Sequence, residues 1–567
     1  MTGTITAIEE AHVTTVAEFT DGTIPPIQPV TEHRVTDRTA PGKFLRSVWR
    51  THFYSAIFAT PILIVMALSG LVIMYTEPIT GLLYSGTARV AAQGLAPLSL
   101  HAQQAAADRV APEGAVLFRV VTPKEPDRVS EFYYTAGPSE VPYFEHLPKD
   151  VTSVFVDPYA AQVTATGHPG DGIVGLANRM HGFLNNDSLK VALPSIPHLI
   201  APSDNPDRFV DVPVGDLIIE IAMGWALVLA GSGLYLWWPR RSQKGKTLLV
   251  PRLRKKGRLK WRDMHAVSGI VGMTMLIIFI TTGMPWSEYW GPAWSAVGSK
   301  LTPGNSVDAP STPAKAGDLD RFGQQIPWAT LQDSVPASQP PEHLHEGGIH
   351  GGGEGPATTT VPAGLPARLS LGDVDRAAKL EGLKPGYAIV LPVNTPVDTP
   401  AGRATMTYGS YQLSNAWPDR LSAEQTVYLD QFTGKKLAQS DTASYGAIGQ
   451  ATEFGVLTHM GTQFGVVDRI VMTTGVLLLL VSIGTSAAMW WIRRPGGGAG
   501  LPKRPTNPRL PMAMAVIGLV VAVVYPLWGV SALIVVALDR FVVRRSRRLR
   551  GTFGLPPISP PSSSARI

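Results

Sequence analysis

Four stretches of the chain, His52 to Met74, Leu217 to Trp238, Val267 to Trp286 and Ile470 to Ile492, run almost without charge for about 20 residues each. A helix of that length crosses a hydrocarbon layer of roughly 30 Å. The chain therefore reads as a mainly α membrane protein with a bundle of four long spans. A fifth apolar region, Met512 to Leu538, is broken by Pro526. Basic residues precede it (Lys503, Arg504, Arg509) and follow it (Arg540, Arg544, Arg545), so the positive-inside rule puts both flanks in the cytoplasm and predicts a broken helix or hairpin over 511–540.

The same rule orders the rest. Residues 1–48 are mostly polar, lack the basic-apolar-small pattern of a secretory signal and are expected as a disordered cytoplasmic tail. Spans follow at 49–76, 214–240, 263–287 and 467–494. The loop 241–262 joins the second span to the third, and from Arg240 to Arg262 eleven Lys or Arg occur without an acid, so this loop is cytoplasmic. Segments 77–213 and 288–466 then lie outside, and 541–567 is a basic cytoplasmic tail. A bacterial cytoplasmic membrane with the N-terminus inside is the expected location. The net charge of +6 is accounted for by this rim and its anionic lipid, which argues against nucleic acid as a partner.

The chain contains no cysteine, which excludes thiolate metal sites, Cys-ligated iron–sulfur clusters, disulfides and covalent haem attachment. A bound metal or cofactor must rest on His, carboxylate, Met or backbone.

An internal two-fold repeat is expected from the order of features. One half opens with Trp49, Arg50 and His52 and closes with Trp237, Trp238, Arg240 and Arg241; the other opens with Trp261, Arg262 and His265 and closes with Trp490, Trp491, Arg493 and Arg494. Within each external segment Leu-Ser-Leu (98–100 and 369–371) leads a helix-favouring stretch. A strand-turn-strand pattern follows, VFVDPYAAQVTA from Val154 and VYLDQFTGKKLA from Val427. Two external α+β units are predicted. From about Gly291 to Pro366 a Pro-, Gly-, Ser- and Thr-rich insertion contains His343, His345 and His350, which fit a solvated low-complexity loop better than a metal collector.

On the W-R-x-H-F/Y opening of the first span, the two helix-plus-hairpin units with Asp157 and Asp430 in V-x-x-D turns and the WWPRR ending, the chain resembles the PepSY-associated transmembrane family, iron-regulated membrane proteins whose helices flank PepSY domains. The resemblance covers roughly Phe44 to Arg550. It implies a haem-containing ferric-siderophore reductase, although isolated PepSY domains are associated with restraining peptidases.

Four histidines carry the chemistry of that reading. His52 and His265 stand within the first turn of two outward-running spans, at one depth, and His181 and His459 precede the second and fourth spans near the outer surface. Imidazoles from different helices can ligate one haem iron from opposite faces, so His52 with His265 and His181 with His459 are expected as axial ligands of two non-covalent b-type haems. Met273 and Met275 are alternative thioether ligands, with packing as the simpler role. His101, His146, His168 and His198 have no partner spacing. Ser69-Gly70, Gly231-Ser232-Gly233, Thr282-Gly283 and Gly484-Thr485 supply small residues for close approach of helices or of a flat macrocycle.

Two stacked haems would carry electrons outward to a ferric siderophore or other ferric chelate. Fe(III) holds hard anionic oxygen ligands more strongly than Fe(II), so one electron loosens the iron. No glycine-rich nucleotide fingerprint follows a strand, so the donor is expected to be separate, a quinol or a cytoplasmic flavoprotein. The chain also lacks HExxH, GxSxG and P-loop patterns. A non-redox siderophore or peptide uptake component, or a PepSY-type module restraining a peptidase, are the alternatives.

Overall fold

The computed structural model describes residues 44–553 and Leu555, except 92–93, 136–150, 204, 239–249, 255, 305–309, 317–325, 341–366, 399–403, 416–417, 419 and 495–510. Residues 1–43 of the expected N-terminal tail, 241–249 and Lys255 of the basic loop, His146 and the histidine-rich loop lie outside the described residues.

The helices used below are α1 (Leu45–Met74), α2 (Leu100–Asp108), α3 (Gly172–Phe183), α4 (Val214–Trp237), α5 (Arg258–Gly283), α6 (Leu371–Leu380), α7 (Ala447–His459), α8 (Val466–Arg493), α9 (Met512–Val524) and α10 (Pro526–Leu538). Among the described residues five helices are long and apolar enough to cross a membrane: α1, α4, α5 continued to Trp286, α8, and α10 continued to Val543. The protein is a multi-pass membrane protein. α1 and α5 begin earlier than the charge pattern suggests, at Leu45 and Arg258, because Arg and Lys are good helix formers and a bundle end tolerates their charge. His52 and His265 are consequently each the eighth residue of their helix, two turns inside it.

α1 packs along α4, and α5 along α8. Small residues set how closely. A Cβ on Gly272 would lie 3.3 Å from the Leu479 backbone nitrogen, and Gly475 takes the Met275 side chain against its bare Cα. Met275 is therefore a packing residue between α5 and α8. α4 is the most enclosed span, with 50% of its apolar window buried against 22% for α1, most of whose residues are half-buried. Ala59, Leu63, Met223, Ala226, Leu276 and Ile280 meet in the core of the bundle.

The C-terminal apolar region folds back on itself. Tyr525 leaves helical geometry (φ −120°, ψ 82°) ahead of Pro526, which lacks the N–H needed to continue α9. Ile517 approaches Gly231, late in α4, whereas Trp528 is pressed on Gly224, nearer its start. The Val524 carbonyl accepts from Trp290 Nε1 at 2.6 Å, and beyond α10 the Phe553 carbonyl accepts from Arg50 at 3.2 Å. The pair thus forms a hairpin whose turn reaches the end of α4 nearest the sheet.

The two α+β units expected from the sequence are joined. The main sheet has eight strands: β1 (Val116–Val121), β2 (Ser130–Thr135), β3 (Thr152–Val156), β4 (Val163–Gly167), β5 (Ala388–Val390), β6 (Ser410–Ser414), β7 (Gln425–Asp430) and β8 (Lys436–Asp441). It is antiparallel throughout, in the order β8-β7-β6-β5-β1-β2-β3-β4. β1 pairs with β5, Val120 opposite Ile389, so each half covers the other's open edge. α2 and α6 share one core beneath it, Leu100 and Ala107 with Leu371 and Val374 against Phe132, Leu413 and Leu429.

The repeated tripeptides have a local cause. Ser99 caps α2 by accepting from Ala102 N at 3.3 Å, and Ser370 caps α6 by accepting from Asp373 N at 3.2 Å. Asp157 and Asp430 accept from the backbone two residues on, at Tyr159 and Phe432, and so fold the β3–β4 and β7–β8 turns. The fifth residue of each turn is left-handed, Ala161 at φ 48° and Gly434 at φ 71°.

Candidate functional site

α1 and α5 bring the rings of His52 and His265 together, with centroids 6.3 Å apart and planes at 70°. A second pair meets at the end of the bundle nearer the sheet: His181 and His459 lie 6.2 Å apart with planes at 73°. His181 occupies the last turn of α3, which ends in left-handed residues Leu184 and Asn185. Its end is pinned against α4, because the Phe183 carbonyl rests where Gly215 has no Cβ; a Cβ there would be 1.6 Å away. His459 is the last residue of α7, and Phe279 of α5 packs edge-on against its ring at 5.3 Å.

Each histidine has one ring nitrogen committed. His52 Nδ1 meets the Leu229 carbonyl and Ser232 Oγ on α4, both at 3.1 Å, and His265 Nδ1 meets the Ser482 carbonyl at 3.0 Å and its Oγ at 3.1 Å on α8. A carbonyl only accepts, so both Nδ1 atoms carry the proton. His181 Nδ1 lies 3.0 Å from Ser69 Oγ on α1, and His459 Nδ1 3.0 Å from Thr282 Oγ1 on α5. These hydroxyls donate to their own helices, Ser69 to the Val65 carbonyl at 2.7 Å and Thr282 to the Ile278 carbonyl at 2.6 Å, which leaves them to accept from the imidazoles. All four rings therefore carry the proton on Nδ1 and keep the Nε2 lone pair for another partner.

Glycine next to three of these hydroxyls makes room for the ring. A Cβ would stand 3.1 Å from His181 Cε1 at Gly70, 3.1 Å from His52 Cε1 at Gly233 and 3.0 Å from His459 Cε1 at Gly283. The fourth seat differs. Ser482, not Gly484-Thr485, receives His265, while Thr485 donates to the Ser482 carbonyl at 2.9 Å.

His181 and His459 are half-buried as whole residues, and burial lowers His181 to about 4 and His459, with His181 beside it, to about 3. Both are held neutral, the state in which an imidazole ligates a metal.

Among the described residues no three His, Cys, Asp or Glu side chains gather into a metal cluster. A bare zinc ion with three or four protein ligands does not fit two imidazoles; a metal whose equatorial positions are already filled does. Two metal–nitrogen bonds of about 2 Å and two half-rings of about 1.1 Å span about 6 Å, the spacing of both pairs. The donor set and spacing fit a bis-histidine haem.

The other histidines stand elsewhere. His168 Nδ1 accepts from Gly170 N, His198 Nδ1 bonds the Asn205 carbonyl at 2.8 Å, and His101 is exposed on α2. Along the chain Ser69, Ser232 and Thr282 read as close-packing residues; in the structure they, and Ser482 with them, orient the rings. A hydroxyl followed by glycine, three times near a span end, was the available signal.

Among curated proteins none matches the chain. The family model of the PepSY-associated TM region matches residues 49–493, and the chain belongs to that family.

Proposed function

We propose that the protein holds two b-type haems, one between His52 and His265 and one between His181 and His459, and passes electrons along the bundle to reduce a ferric siderophore or other ferric chelate on the sheet side. The observation that carries this reading is the pair of facing imidazole couples, each with Nδ1 satisfied and a ring spacing that admits an iron. Seventeen residues separate His52 from Ser69 on α1, and also His265 from Thr282 on α5, so the two centres are about 25 Å apart along the helix axes. Each would then sit near one face of the membrane.

Bound there, a haem supplies one-electron chemistry at its iron. The residues of the chain fix tautomer and ring angle through Leu229, Ser232, Ser482, Ser69 and Thr282, and leave Gly70, Gly233 and Gly283 as recesses. We read the halves, α1 to α4 and α5 to α8, as two copies of one plan, each lending one histidine to each centre. The electron donor is a quinol or a separate flavoprotein on the side of Trp49 and Trp261. The acceptor's iron goes from Fe(III) to Fe(II), which weakens its hold on anionic oxygen ligands.

An optical and paramagnetic spectrum of the purified protein tests this. Two low-spin haems are expected, with the strongly anisotropic ferric signal of nearly crossed imidazole planes. His52→Ala or His265→Ala should remove one haem and His181→Ala or His459→Ala the other. A colourless protein of full activity, or normal haem content in all four variants, ends the proposal.

A further inference from the structure

Among the buried polar atoms without a hydrogen-bond partner in the described residues, two are N–H donors at the bundle ends beyond the histidine pairs. Arg469 Nε, in the first turn of α8, and Trp237 Nε1, at the last residue of α4, are both shielded from solvent without a hydrogen-bond partner among the described residues. A buried guanidinium or indole N–H left unmatched is destabilising, and such groups are almost always bonded. Each of these points to an acceptor that the side chains around it do not provide.

Their positions correspond. Trp237 lies one turn beyond Gly233, the residue that receives His52, and so continues the same face of α4 toward the bundle end. Arg493 stands at that end too, its guanidinium 4.4 Å over the ring of Trp49, three residues before His52. At the other end Arg469 lies 5.9 Å over the ring of Tyr75, six residues beyond Ser69, which orients His181. Its backbone touches the chain just after His459: a Cβ on Gly461 would meet Arg469 Cα at 3.2 Å. Both donors thus sit about 6–9 Å outward of a histidine pair along the helix axis.

A b-type haem is flat and apolar apart from two carboxylate side chains on one edge. We propose that Arg469 donates to a carboxylate of the haem held by His181 and His459, and that Trp237 Nε1 donates to a carboxylate of the haem held by His52 and His265. This rests on the haem reading above and adds to it the direction of each macrocycle, carboxylate edge outward. A charge-assisted bond from Arg469 stabilises the added electron as well as the carboxylate, whereas Trp237 contributes a neutral donor. The two residues therefore act differently on their haems.

The test uses the full-length protein loaded with haem, with His52→Ala and His181→Ala assigning the two redox transitions. Arg469→Gln should move the midpoint potential of the His181–His459 haem to a more negative value and leave the other in place, with Arg469→Lys restoring part of the shift. Trp237→Phe keeps the ring and removes the N–H. It should speed transfer of the His52–His265 haem to an apo-acceptor several-fold and leave the sheet-side haem unchanged. Two haems with unaltered potentials and transfer rates in both variants would overturn the inference while the haem reading stood. A wild-type protein that takes up no haem would remove both.

Discussion

Ser69→Ala and Thr282→Val remove a hydroxyl 3.0 Å from His181 Nδ1 and His459 Nδ1 and change little else in shape. A buried N–H deprived of its acceptor costs about 1–3 kcal/mol. The Met66 and Phe279 carbonyls lie near these nitrogens and recover part of that, without the well-aligned bonds that Leu229 and Ser482 make. A loss of about 1–2 kcal/mol remains, or about five- to thirty-fold in retention of the haem proposed at the sheet side. At the other pair the outcome differs, because His52 keeps the Leu229 carbonyl at 3.1 Å and His265 the Ser482 carbonyl at 3.0 Å when the serine hydroxyls are deleted. Ser232→Ala and Ser482→Ala should each cost under about 1 kcal/mol, less than about five-fold. Haem transfer from purified protein to an apo-acceptor, followed by absorbance, measures all four. Equal effects at both ends, or none at Ser69 and Thr282, would refute the claim that these hydroxyls hold the imidazoles in one tautomer.

Gly283→Ala places a methyl 3.0 Å from His459 Cε1. On the two-haem proposal it should halve haem content and spare the haem proposed at His52–His265, as read by haem-to-protein ratio. Ala161→Gly relieves a left-handed residue in the β3–β4 turn, where the β7–β8 turn already has Gly434, and should raise stability by up to about 1 kcal/mol in thermal unfolding. Burial, with the Glu453 charge adding, raises Glu424 to about 9, and burial raises Glu453 to about 7. A carboxyl whose folded value lies above its unfolded value near 4.5 favours folding fully below that value and loses the contribution as pH rises. Stability should fall between pH 4.5 and about 9, and Glu424→Gln should flatten that slope; an unchanged melting profile across this window would contradict it.

Much of the plan was legible along the chain. Span positions follow from charge-free length, the α2 and α6 starts from Ser99 and Ser370, and the two hairpin turns from Asp157 and Asp430, because each is decided within a few residues of backbone. The four histidines stood out for a related reason, as imidazoles are scarce where the surroundings are apolar. Less visible was what each ring rests on. Ser69 and His181 are 112 positions apart and His265 and Ser482 are 217, and apart from the glycine that follows Ser69, Ser232 and Thr282 nothing local marks one hydroxyl in a span as an acceptor and another as packing.

By itself the sequence determined that this chain crosses a membrane several times, carries paired α+β segments and sets histidines near span ends, since hydropathy, capping and turn chemistry act over one or two turns of chain. The tertiary structure decided the joining of both segments into one eight-stranded sheet through β1 and β5, the hairpin at Tyr525 and the meeting of the rings in twos at 6.2 and 6.3 Å. Those outcomes depend on which helix faces and strand edges find each other across hundreds of residues, where packing and pairing, not local preference, set the free energy.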